Sequence, residues 1–262
     1  MRGLGRVLAW SYLVVVFLFI LLPVVSLVVF SFQATSLPVP PFSGPSLRWF
    51  EALFADPRML SALRTSVIVG IVSALLATVL GFLAAYGLGR YRPAGATALR
   101  AIIMTPLGVS YLVIGFGLLV VANELALGRS LLLVTLGHII INTPLAFAII
   151  LSQMREEHAN LERAARDLGA GEPRVIGSIV LPVLLPGLLA AFLLSFTLSW
   201  DEFIIAFLLA GFQVTLPVEI WSSLRTGLDA KTNAAGTVVF AISLIVLVLA
   251  YATNRALRKG RT

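Results

Sequence analysis

LERAARDLGAGEPRVIGSIVLP, residues 161–182, is the one long charged stretch with helical periodicity in an otherwise apolar chain. Leu161, Ala164, Ala165 and Leu168 recur at i, i+3, i+4 and i+7, which puts them on one face of a short helix. Glu162, Arg163, Arg166 and Asp167 fall on its other faces. The small side chains of the apolar face let a second protein surface come close to the backbone. Gly169 stands where a helix end takes a positive φ, and Pro173 where a second short helix can begin without needing its missing N–H. Ile179, Leu181 and Pro182 then lead into the next apolar run.

Composition gives the class of the protein. Of 262 residues, 59% are hydrophobic and 12% charged, which excludes an ordinary soluble domain and points to a polytopic helical membrane protein. The net charge of +7 would suggest nucleic acid as a partner in a soluble chain. Here the basic residues gather at the ends of apolar runs, so they report membrane topology, and no nucleic-acid partner is expected. The absence of Cys excludes disulfides and thiolate metal sites. No second His or carboxylate stands at ligand spacing from His138, so no metal site is expected, and Glu156, Glu157 and His158 read as a solvated cluster.

Six spans are predicted, at about 8–30, 65–88, 101–122, 131–152, 183–209 and 233–253. The first apolar run is too long for the core of a signal peptide and no Ala-x-Ala site follows it, so it reads as a retained helix, with Pro23 as a kink position. Between the first two spans, Leu37–Pro41 excludes helix and central strand. After it, Ser46 is placed as the N-cap of a short interfacial helix with Trp49 at headgroup level. The second run carries Gly70, Ser73, Ala74, Ala77 and Gly81, small residues suited to close helix packing in lipid. Pro106, Gly108, Gly115 and Gly117 interrupt the third. With six spans both termini share a side. Thirteen of the 19 basic residues lie on that side, together with residues 155–182, and the positive-inside rule makes it cytoplasmic.

Ala164, Ala165, Gly169, Ile179, Leu181 and Pro182 match, at the family spacing, the coupling motif of ABC importer permeases; the chain resembles that family, with Arg163 in place of the motif's Glu and the acid one residue earlier, at Glu162. The resemblance implies a single permease domain over residues 1–262 with the type I importer fold, in the bacterial inner membrane. It implies that Leu161, Glu162, Arg163, Ala164, Ala165, Asp167, Leu168, Gly169, Ile179, Leu181 and Pro182 form the joint with a cytoplasmic ATP-binding subunit dimer. It also implies a second, different permease subunit, a periplasmic solute-binding protein and transport by alternating access. A phosphate loop needs Gly-x-x-x-x-Gly-Lys-Ser/Thr, and neither Lys231 nor Lys259 stands in one, so ATP and Mg are expected on the partner and this chain is not expected to be an enzyme.

Residues Leu194–Phe203, Thr215–Val218, Ser222–Gly227 and Asn233-Ala234 with Thr237 resemble the second permease subunit of spermidine/putrescine importers, a subfamily that also takes opines and other small solutes. It departs at Lys231-Thr232, where the subfamily has Pro-Glu. Asp201 lies roughly 22 Å along the fifth span counted from Pro186, in its outer half, where an unpaired carboxylate costs at least ~2.5 kcal/mol. Two readings of Asp201 and Glu202 stand: acceptors in a pathway for a cationic solute, or an interfacial or structural pair partnered by Arg225 or His138. Trp200 and Trp221 are either cation–π faces of that pathway or interface anchors. A lone His in a span, as His138 is, reads as an interhelical hydrogen-bonding group. A transporter working alone predicts inverted repeats and acids in several spans; neither is evident.

Overall fold

Helix α1 (Arg2–Phe30) opens the chain, followed by α2 (Arg48–Ala55), α3 (Pro57–Tyr86), α4 (Ala96–Met104), α5 (Tyr111–Glu124) and α6 (Leu131–Gln153). Then come α7 (Glu156–Asp167), α8 (Glu172–Val175), α9 (Leu181–Trp200), α10 (Ile204–Leu209), α11 (Leu216–Thr226) and α12 (Ala230–Lys259). The structure is a computed structural model describing residues 2–227 and 229–259; Arg261, in the closing basic cluster, lies outside the described residues. Five helices are long and apolar enough to cross a membrane, six if α4 and α5 count as one bent span. Among the described residues the β pairing is confined to an isolated bridge between Gln33 and Pro45. Contacts divide the chain, read from sequence as one domain, into two units: the chain up to Leu60 with Glu219–Ile242, and Ser61–Val218 with the segment from Ser243.

In the first unit the loop after α1 is organised by Gln33, which is 1% exposed. Its amide donates to Thr35 Oγ1 and to the carbonyls of Val39 and Pro41, and accepts from the Ser43 N–H. Its own carbonyl accepts from the Trp49 indole at 2.7 Å. Trp49 is therefore buried against this loop. Ser46 stands one residue before the N-cap, which is Leu47, and its hydroxyl accepts from the Arg48 N–H. Lys231, at the start of α12, donates to Asp56 Oδ2 at 2.8 Å. That contact gives the Lys231 cation a partner within this unit.

In the second unit α3, α6 and α9 build one core around Phe82, Phe147, Ile150 and Leu184. A second core gathers α5, α6 and α10 around Val134, Ile141, Ile205 and Leu209. The small residues of α3 make the expected contact: Ser73, Ala74 and Ala77 are fully buried, and a Cβ at Gly81 would stand 2.7 Å from the Phe147 nitrogen of α6. Lipid gives apolar faces no hydrophobic drive to associate, so such backbone-close packing carries the assembly of these helices.

Two of the predicted spans are broken helices. The third is not a continuous helix over 101–122: α4 ends at a 3₁₀ turn over Thr105–Gly108, Val109 is extended, and α5 restarts with the Ser110 hydroxyl accepting from the Leu112 N–H. The two halves meet at 103°. The fifth span does not run to 209 as one helix either. α9 stops at Trp200 and α10 starts afresh at Ile204, because the Glu202 side chain takes the N–H groups that a continuing helix would have bonded to its own carbonyls.

Candidate functional site

The stretch at 161–182 forms α7, a glycine turn and α8. Glu156 and Glu157 occupy the first turn of α7 and Arg166 the last, each sign at the helix end it favours. The turn is a Schellman closure: the Gly169 N–H bonds the Arg166 carbonyl and the Ala170 N–H the Ala165 carbonyl, at 2.9 and 3.0 Å. Gly169 has φ +85°, as its position required. Ala165 and Ala170, the residues such a closure brings together, both pack on the first core. Pro173 opens α8.

The predicted faces separate with one exchange. Leu161, Ala164 and Leu168 are exposed, Leu168 at 89%, and Asp167 is exposed beside them, while Ala165 turns half inward. Arg163 is exposed and bonds Glu156 at 3.0 Å and Asn160 at 2.8 Å. Glu162, expected at the joint, is instead 2% exposed and points into the protein, where Arg90 pairs with it at 2.9 Å. The carboxylate is held by an internal cation, so it has no free face for a partner. Ile179 is half-buried in a π turn over Ile176–Val180, and Leu181 and Pro182 are exposed in the first turn of α9.

Behind α7 lies a node that the sequence reading did not single out. Glu172 Oε1 accepts from the hydroxyls of Tyr86 at 2.7 Å and Tyr91 at 2.8 Å, and Arg166 donates to both its oxygens. Arg166 also lies 3.7 Å from Glu162. The carboxylate of Glu172 keeps the Arg166 guanidinium charged more firmly still than usual. Spacing along the chain gives no sign of this node, because Tyr86 and Glu172 are 86 residues apart.

Residues 200–202 form the second candidate site. Trp200, expected as a cation–π face, is 1% exposed and stacks on Phe196 with ring centroids 6.0 Å apart, so its ring is not open to a solute. Glu202 is also buried; it accepts from the N–H groups of Ile205 and Ala206, and its Oε2 lies 3.2 Å from His138 Nε2. His138 Nδ1 is 2.6 Å from the Ser199 hydroxyl, which is 2.9 Å from that of Ser73. The structural alternative with His138 is thus the arrangement observed for Glu202, and His138 bridges helices as expected. Asp201 remains exposed at the break between α9 and α10, with the Ser243 hydroxyl 3.5 Å away. Trp221 is 45% exposed and belongs to the first unit. Among the described residues no group of three or more His, Asp or Glu is placed to hold a metal ion.

Residues 77–259 match the family described as binding-protein-dependent transport system inner membrane component. The chain is 34% identical over 251 residues to the putrescine transport system permease protein PotI of Escherichia coli (strain K12), covering 92% of this chain and 88% of that protein. It is 26% identical over 261 residues to the spermidine/putrescine transport system permease protein PotC of the same strain, covering 99% and 98%. In structure it is similar to a bacterial ABC transporter involved in the import of the acidic polysaccharide alginate, with a TM-score of 0.73 over 97% of this chain and 98% of that chain at 17% identity.

Proposed function

The chain belongs to the binding-protein-dependent transport system inner membrane components, and on that premise we propose that it carries polyamines of the putrescine and spermidine class into the cytoplasm. It is a multi-pass inner-membrane permease of an ABC importer. ATP and Mg are handled by a separate pair of ATP-binding subunits, a second permease completes the passage, and a periplasmic protein delivers the solute. Both termini and α7 lie in the cytoplasm, on the side richer in Arg. ATP binding closes the ATPase pair, α7 moves with it, and the passage opens outward.

The observation that carries this reading is the presentation of α7. Leu161, Ala164 and Leu168 stand exposed on a helix whose inner face is held by ion pairs, which suits a surface that docks and transmits displacement. The polyamine assignment draws its support from the two relatives named for putrescine and spermidine and from Asp201, an exposed carboxylate where the fifth span breaks. A multiply charged amine needs such acceptors along its route. The test is putrescine uptake by the assembled importer. Asp201→Asn keeps shape and removes charge, and uptake should fall about tenfold or more, the cost of one charged hydrogen bond, with assembly retained. Normal putrescine uptake by that variant would remove Asp201 from the route. Capture of an opine or an amino-acid-like compound by the binding protein, in place of a polyamine, would overturn the substrate class.

A further inference from the structure

We propose that Glu172, held by the hydroxyls of Tyr86 and Tyr91 and by Arg166, ties the inner end of α3 to the docking helix α7, so that the span follows the ATPase stroke; these are positioning residues, and the proposal rests on the docking role of α7. The chain of contacts is continuous. Arg90 pairs with Glu162 at 2.9 Å, Glu162 lies 3.7 Å from Arg166, and Arg166 grips Glu172 through Nε and Nη2 at 2.9 and 3.0 Å. Glu172 then takes both tyrosine hydroxyls, and Arg166 Nη2 reaches back to the Tyr86 hydroxyl at 3.1 Å. Two carboxylates and two guanidinium groups alternate, so the chain is electrically closed. Charge-assisted bonds of this kind are short, directional and about twice as strong as neutral ones.

The local backbone is built to make this contact. Gly87–Tyr91 forms a π turn at the end of α3. On a regular α-helix Tyr86 and Tyr91, five residues apart, would diverge by about 140°. A π turn closes i to i+5 and brings them to one side, where their rings meet edge to face at 5.9 Å and both hydroxyls reach one oxygen. Meanwhile Glu162 and Arg166 occupy the face of α7 opposite Leu161, Ala164 and Leu168. Any displacement of the docking face therefore moves the node at once. The same links would be superfluous for closing the C-terminal end of α7, which its own Schellman turn and the Arg166–Glu172 pair already close.

The experiment uses the assembled importer in lipid nanodiscs with putrescine-loaded binding protein. Tyr86→Phe, Tyr91→Phe and Arg90→Gln together cut the links to α3 and leave the Arg166–Glu172 pair within the docking stretch. The ATPase subunits should copurify at the wild-type ratio, while the stimulation of ATP hydrolysis by loaded binding protein falls about fivefold or more and uptake falls with it, the range expected for a lost coupling of this kind. Restoring Tyr86 and Tyr91 in the Arg90→Gln background should recover part of the stimulation. Wild-type stimulation in the triple variant would overturn the tie. Loss of copurification would also overturn it, since the contacts would then serve only to fold the docking helix. Leu168→Asp separates the underlying reading: it should abolish copurification, and a variant that still copurified and was stimulated normally would remove α7 as the docking surface whatever the triple variant did.

Discussion

Asp201 and Glu202 are adjacent acids in environments that assign them different work. Glu202 gives its oxygens to two backbone N–H groups of α10 and lies against His138, so Glu202→Ala leaves buried donors unmatched and should destabilise the protein by about 2–4 kcal/mol. A thermal unfolding series in detergent checks this, and Asp201→Asn should leave the midpoint near wild type. Asp56 gives a pH-dependent counterpart. The hydrogen bond from Lys231 lowers its carboxyl below the usual range, against the opposing effect of burial. Its contribution is therefore complete above the unfolded carboxylate value of about 3.9 and is lost as pH falls through the lower folded value. The midpoint difference between wild type and Lys231→Met should be small, constant at neutral pH, and shrink below about pH 4. The two acids at 201 and 202 were visible in the sequence as costly residues in a span. Which one faces inward was not, because it depends on His138 lying 3.2 Å away across a helix interface.

Among elements, the docking helix and its glycine turn were the most legible, because helix-end chemistry is local. Gly169 at φ +85° follows from its place after Leu168 alone. Gly169→Val, with no Cβ contact within 4 Å to blame, should cost about 1–3 kcal/mol through backbone strain and reduce binding-protein-stimulated ATPase activity while the chain still inserts. On the same helix, Ala164→Asp should impair copurification of the ATPase subunits more than Arg163→Glu, since Ala164 is on the exposed apolar face and Arg163 only bonds its own helix. The opposite ranking would mean that charge holds the joint. The π turns at Gly87–Tyr91 and Ile176–Val180 were illegible by comparison. One extra residue in a helical turn leaves no mark in composition or hydropathy; at Gly87–Tyr91 it is the tertiary hydrogen bond from Tyr91 to Glu172 that rewards it.

For the molecule as a whole, the long apolar runs matched α6 to within a residue and fell inside the longer α1 and α12, since the length needed to cross a bilayer is a property of each segment alone. The break in the third run announced itself through Pro106 and Gly108, but its angle belongs to the packing of α5 against α10, where a Cβ at Gly115 would stand 2.7 Å from Leu208. That bend reaches beyond the finished protein to its manufacture. α5 has 14 residues, about 21 Å of helix, too little to cross the hydrocarbon unaided, and α4 is shorter still. While the chain is being made, the translocation machinery meets two half-length segments, each short of a full span, before α10 is there to set the angle between them. Their retention must wait for α6 and α10 to emerge. A nascent chain halted after Arg129 should display a terminal glycosylation tag on both sides of the membrane, and one extended through Leu209 should settle it on a single side.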